Sequence, residues 1–234
     1  MRTLAVLPVK RFGAAKQRLV GRLAPAGRAA LGEAMLADVL AASSAAAGLE
    51  SVVVVSAEPL VADRARSARA EVVPDAHETG QSPAALAGIE HARAAGAERV
   101  LLLPGDTPLV TAHELDALLA RSQTDGLAAA IVPDRHGTGT NGLLLSPPDA
   151  LWPSFGPESR ARHVAAARAA ALPWSVRPTP GLAHDVDTPD DLDALVDALA
   201  TAPPDRARHT RRALAELGLA GAGVALVASA EGPS

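Results

Sequence analysis

Leu101-Leu-Leu-Pro-Gly-Asp-Thr-Pro-Leu-Val110 decides how this chain reads. Val100 to Leu103 is a short, continuous apolar run entered from Arg99. Such a run is the pattern of a strand buried on both faces of a parallel sheet. Pro104 and Gly105 stop it. Asp106 therefore falls at the carboxyl end of a central strand, where open α/β sheets hold their ligands. A carboxylate there is a natural Mg²⁺ ligand, because Mg²⁺ takes oxygen donors and is often held by one or two carboxylates plus substrate phosphates. The competing reading makes Asp106 a cap for the next helix. It stands too far ahead of that helix, and Thr111 fills the N-cap position better.

The same alternation extends in both directions. Strands are expected at Thr3–Val9, Ser51–Ser56, Glu71–Pro74, Leu127–Pro133 and Asn141–Ser146, with Trp174–Arg177 extended. Helices are expected at Pro25–Ala46, from Pro59 to about Arg69, and at Pro83–Ala95, Thr111–Ser122, Ser159–Ala171 and Asp190–Ala200. In the first of these, Leu31, Met35, Leu36, Val39 and Leu40 share one face. Strands separated by helices give βαβ units and a mostly parallel sheet. The two adjacent strands after residue 127 break the alternation and predict a mixed region or hairpin beside the parallel core. Pro203-Pro204 ends the pattern, so one domain over 1–202 is expected, followed by an extension over 203–234. Asp205–Leu217 is read as one more helix, and Gly218–Ser234 as a Gly/Ala-rich tail with a poorly ordered end.

Composition bounds the chemistry. A chain of 234 residues can build a substantial α/β core, and with 48% hydrophobic but only 2% aromatic residues that core is made of Ala, Leu and Val. A net charge of −4 argues against a general nucleic-acid binder. The absence of cysteine excludes disulfides, zinc thiolates and Cys nucleophiles. No apolar run reaches the length of a membrane span. The run Thr3–Val9 is too short for a signal-peptide core, so a cytoplasmic protein is expected.

Two polar segments join Asp106. Lys10, Arg11, Lys16 and Arg18 surround Gly13 in the loop after the first strand. Alone this reads as a solvated basic loop, but its place at a strand end suits a triphosphate. It is neither a G-x-G-x-x-G fingerprint nor a Walker A loop. In His184-Asp-Val-Asp-Thr-Pro-Asp-Asp-Leu192, Thr188 and Pro189 start a helix and explain Asp190 and Asp191. Asp185 and Asp187 precede the cap, and in an extended segment both face one side, toward one cation. Gly137-Thr-Gly-Thr-Asn-Gly142 and Phe155-Gly-Pro-Glu-Ser159 are turns, the second leading into a helix whose free N–H groups would suit an anion at Ser159. No Ser-His-Asp constellation appears, and none of the seven His residues receives a role.

These segments occur in the order found in a known family. Residues 6–19, 104–109, 137–141, 155–159 and 185–192 resemble the 2-phospho-L-lactate and phosphoenolpyruvate guanylyltransferases of coenzyme F-420 biosynthesis. The resemblance implies a Rossmann-like three-layer α/β/α sandwich of the glycosyltransferase-A nucleotidyltransferase type, with a mostly parallel mixed sheet. It implies that Asp106, Asp185 and Asp187 hold Mg²⁺, and that Thr140, Gly156 and Ser159 hold the phospho-acid. It implies that Lys16 and Arg18 contact the triphosphate, with Lys10 in the same loop. Gly80-Gln81-Ser82 takes the place of guanine recognition, where family members often carry Gly-Leu-Asn. The small-molecule partners implied are GTP and phosphoenolpyruvate. A homodimer and a hand-off of the product to a deazaflavin-modifying transferase are further expectations. The Ala/Arg-rich composition favours the phosphoenolpyruvate variant. 2-Phospho-L-lactate as acceptor, a molybdenum-cofactor guanylyltransferase and a non-catalytic nucleotide-binding module are the alternatives.

Overall fold

The apolar runs become strands. The computed structural model describes residues 1–12 and 16–219. Among them, β1 (Thr3–Pro8), β2 (Ser51–Ser56), β3 (Glu71–Pro74), β4 (Arg99–Leu102), β5 (Ala129–Pro133), β6 (Thr140–Leu145) and β7 (Trp174–Val176) form one sheet in the order β3-β2-β1-β4-β6-β5-β7. In the central β1, Leu4 and Val6 face one side and Ala5 and Leu7 the other, and all four are buried, as the two-residue period of a strand requires. β1 pairs in parallel with both β2 and β4. β6 runs antiparallel to both of its neighbours, β4 and β5, which is the mixed region expected from two strands with no helix between them.

Helices close both faces. α1 (Pro25–Ala45), α2 (Pro59–Ser67) and α4 (Ala112–Thr124) contribute Leu36, Val39, Val61, Ala65, Leu115 and Leu118 to the core on one side. On the other side, α3 (Gln81–Ala94) brings Ala85 and Ile89 against the β1 and β2 side of a second core that includes Leu4, Val6, Val53 and Val55, and α5 (Ser159–Ala169) brings Ala167 to the β5 side of the same core. This is the three-layer sandwich. The approach of α3 is close enough to require glycine at one point: a Cβ on Gly88 would stand 2.3 Å from Cγ1 of Val6.

A third cluster lies beyond the sandwich. α6 (Pro189–Thr201) and α7 (Arg208–Glu216) enclose Leu192, Leu195, Leu199 and Leu214 with Leu31 and Met35 of α1 and Leu19. No strand residue belongs to it. The helix expected within 205–217 is thus present and packed on α1, while the expected disorder at the chain end concerns residues 220–234, outside the described residues.

The topology locates the cleft. From β1 the chain steps outward to β2 and β3, then returns to place β4 on the opposite side of β1. Strand order reverses between β1 and β4, and their carboxyl ends flank the crevice that such a reversal opens.

Candidate active site

A cleft of about 350 Å³ opens at that reversal. Pro8 to Phe12 leave β1 along its wall, Pro104 to Asp106 leave β4, and Gly80 and Gln81 begin α3 opposite them. Lys16 closes its floor. The Lys16 side chain is 5% exposed, and its Nζ donates to Asp106 Oδ2 and, at 3.2 Å, to Asp187 Oδ1. Burial alone would lower the pKa of this ammonium. The carboxylates of Asp106 and Asp187 outweigh burial and push it up. Residues 90 and 171 positions from Lys16 thus meet at one nitrogen. Arg11 and Glu78 pair across the mouth at 2.5 Å.

The aspartates are held differently. Asp106 sits in the turn after β4 and is about one-quarter exposed. Asp187 is exposed, but its backbone N–H donates to Asp191 Oδ2 at 3.1 Å. Asp191 also accepts from Thr188 in a capping box at the start of α6, and from Arg135 Nε and Nη2 at 2.9 and 2.6 Å. Burial opposes the ionised form of Asp191, yet the hydrogen bonds from Arg135 and Thr188 hold its pKa down at about 2. Asp185 has the opposite balance. Burial, then the neighbouring charge of Asp106, raises its pKa to about 6 against a 2.9 Å hydrogen bond from Asn141 Nδ2.

Thr140, Gly156 and Ser159 do not line the cleft; they gather beside it around His163. The Thr140 hydroxyl lies 3.0 Å from Nδ1 of the wholly buried His163, and the Ser154 N–H donates to Nε2 at 2.8 Å. Burial, then the neighbouring Arg162, lowers the His163 pKa to about 4, so the ring is neutral. Phe155 meets the ring edge-on at a centroid distance of 5.5 Å. Arg162 braces the same turn by donating to the carbonyls of Ser154 and Phe155. Gly156 has φ of 109°, a conformation that glycine adopts freely. Two links join this cluster to the cleft: Phe155 N–H to Ser82 Oγ at 2.9 Å, and Asn141, next to Thr140, to Asp185.

The expected site residues therefore divide. Lys10, Lys16, Gly80, Gln81, Asp106 and Asp187 share the cleft. Asp185 adjoins it. Arg18 lies on the exposed side of a short 3-10 turn, Gln17–Leu19, outside the cleft lining. Gly80–Ser82 is not a loop: α3 starts at Gln81, two residues earlier than expected, and the Ser82 hydroxyl holds the Phe155 turn. The N–H groups at the start of α5 are less free than expected, because Ser159 donates to the Gly156 carbonyl and Arg160 to that of Thr138. Asn141 and His163 were given no role from sequence; Asp191 was read as a first-turn acid of α6, which it is, but its contacts with Arg135 and the Asp187 N–H were not expected. Asn141 closes the Gly-Thr-Gly-Thr-Asn segment immediately inside a strand, and that position was the available signal.

Oxygen donors converge here with one ammonium. Among the described residues no three His, Asp or Glu form a ready-made metal cage. The donor chemistry nonetheless suits a hard divalent cation. The charge neighbours that disfavour ionised Asp185 are carboxylates, a repulsion that a bound divalent cation would relieve.

The sandwich is that of the nucleotidyltransferase fold. The chain shares it with a putative nucleotide-diphospho-sugar transferase from Desulfovibrio desulfuricans, at a TM-score of 0.73 and 18% identity, over 93% of this chain and 97% of that one. The chain belongs to the guanylyl transferase CofC-like family, which matches residues 3–200. It is 49% identical to the phosphoenolpyruvate guanylyltransferase of Conexibacter woesei over 93% of this chain and 97% of that protein. With the phosphoenolpyruvate guanylyltransferase of Sphaerobacter thermophilus it shares 43% identity over 83% of this chain and 93% of that one.

Proposed function

We propose that this protein joins GMP from GTP to phosphoenolpyruvate with release of pyrophosphate, making enolpyruvyl-diphospho-5'-guanosine for coenzyme F-420 biosynthesis. The observation that carries the reading is the convergence of Lys16, Asp106 and Asp187 at the β1/β4 crevice in a chain of this family. A phosphate oxygen of phosphoenolpyruvate attacks the α-phosphorus of GTP, the new P–O–P bond forms, and the bond to the β,γ-diphosphate breaks. A phosphate monoester has its second pKa at about 6, so the nucleophile is already ionised at neutral pH. No general base is needed. The obstacles are repulsion between two anions and charge growing on the leaving group, which positioned cations relieve.

Asp106, Asp185 and Asp187 would hold Mg²⁺, which when bound neutralises the triphosphate and polarises the attacked phosphorus. Lys16 supplies a fixed positive charge on the same side. Lys10, on the cleft wall, would meet the triphosphate. Arg18 would reach the phosphates only by swinging in from its exposed turn. Gly80 and Gln81 present the start of α3 to the base. Thr140, Gly156 and Ser159 would hold the phospho-acid. The labile product suits direct transfer to a deazaflavin-modifying enzyme.

The test is pyrophosphate release with Mg²⁺, offering GTP against ATP and phosphoenolpyruvate against 2-phospho-L-lactate. Turnover is expected only with GTP, and best with phosphoenolpyruvate. Preference for phospholactate overturns the acceptor; preference for ATP overturns the base. No pyrophosphate from any pairing overturns the reaction. Asp106→Asn is expected to lower turnover by at least about 100-fold, as loss of a group acting on transition-state charge does. Because the buried Lys16 ammonium then keeps only Asp187 as a carboxylate partner, the melting temperature is expected to fall as well, and circular dichroism of the folded variant separates lost turnover from lost fold.

A further inference from the structure

The ring of His163 meets Thr140 and the turn that leads to Gly156, and it shares a helix with Ser159. It lies one helical turn after Ser159 on α5, so the two share a face. Its Nε2 meets the Ser154 N–H in the turn that leads to Gly156. Its Nδ1 meets the Thr140 hydroxyl.

The direction of each bond follows from elementary chemistry. A backbone N–H can only donate, so Nε2 of the neutral ring accepts, and the ring proton resides on Nδ1. Nδ1–H therefore donates to Thr140 Oγ1. The hydroxyl, having accepted from the ring, must turn its own hydrogen elsewhere, and among the described residues Thr140 Oγ1 meets no second partner. A threonine hydroxyl that could donate or accept is thus made a committed donor. An anionic oxygen, whether of phosphate or carboxylate, needs donors and nothing else.

We propose that His163 is a positioning residue, which acts by fixing the Thr140 hydroxyl as a one-way donor to the phospho-acid while holding the turn that carries Gly156. This rests on the assignment of Thr140 to the phospho-acid. The imidazole touches no substrate.

The experiment is a kinetic cycle on the full-length protein with GTP, Mg²⁺ and phosphoenolpyruvate, using Thr140→Val, His163→Gln and the double variant. Gln places an acceptor where Nε2 was and leaves no donor at the Nδ1 position. His163→Gln is expected to raise KM for phosphoenolpyruvate about tenfold, the scale of one hydrogen bond to an anion, with KM for GTP within about twofold. In the Thr140→Val background the same change is expected to add less than about twofold, because the group through which it acts is gone. His163→Asn, which returns an amide N–H to the Nδ1 position, is expected to bring KM back to within about threefold of wild type, and it serves also where His163→Gln folds poorly. Equal effects of His163→Gln in both backgrounds, or no effect on KM for phosphoenolpyruvate beside a clear effect of Thr140→Val, overturn the proposal alone. A Thr140→Val protein with unchanged KM for phosphoenolpyruvate overturns the pocket assignment, and the proposal with it.

Discussion

At the scale of single residues, the charged and titratable groups of the site are set by the partners that hold them. Asp191 is drawn down by Arg135, Asp185 is steadied by Asn141, and Lys16 is shared by two aspartates. His163 differs, because its partners favour the neutral ring. Its folded pKa of about 4 lies below the ordinary value of about 6.5. As pH falls from 6.5 toward 4 the unfolded chain takes up a proton that the folded chain refuses, so stability drops through that window and levels off below it. The full effect is at most about 3 kcal/mol. Asp185, whose folded pKa is raised to about 6, gains stability over the same window and offsets this fall in the wild type. The check is therefore the difference between proteins: in thermal melts at pH 7, 5.5 and 4.5, the wild type should lose stability relative to His163→Asn as pH falls. Parallel curves for the two proteins would contradict the buried neutral ring.

At the scale of elements, the close seat of α3 makes the sharpest demand. A methyl on Gly88 collides with Val6 and reaches 3.0 Å from Cγ2 of Val55. Gly88→Ala is expected to cost about 1–3 kcal/mol by overpacking, although alanine is the better helix former. A rise in stability in urea unfolding would show that α3 shifts freely. The boundaries of this helix also show where sequence reading stopped short. Pro83 was taken as the first helical residue, but proline is tolerated throughout the first turn, and the helix begins at Gln81 with Gly80 as its cap. The caps at Thr111 and Thr188, the reversal of β6 and the strand-end place of Asp106 were all legible, because each depends on residues within a few positions. The pairings of Asn141 with Asp185, His163 with Thr140 and Arg135 with Asp191 span 44, 23 and 56 positions. Only the assembled topology selects such partners, so no local pattern announces them.

At the scale of the whole molecule, two hydrophobic units meet at the cleft. The sandwich carries Asp106. The third cluster carries the other side: Leu19 follows Lys16 by three residues, and Val186, buried in that cluster, stands between Asp185 and Asp187. The Lys16–Asp187 pair is thus anchored from outside the sheet. Leu214 of α7, fully buried there, contributes no atom to the cleft. Leu214→Ala is expected to cost about 2–5 kcal/mol, and to raise KM for GTP, which a change remote from any ligand would otherwise leave alone. Lost stability with unaltered KM would separate the two units.

Warming should therefore silence this protein before it melts. A unit that rests on one helix and a few loop residues opens at a lower free energy than a seven-stranded sheet does. When α6 and α7 lift away, Lys16 and Asp187 lose their anchors while the strands still hold one another. Turnover would fade at temperatures where the far-ultraviolet signal of the sheet is intact, and saturating nucleotide would close the gap between the two curves.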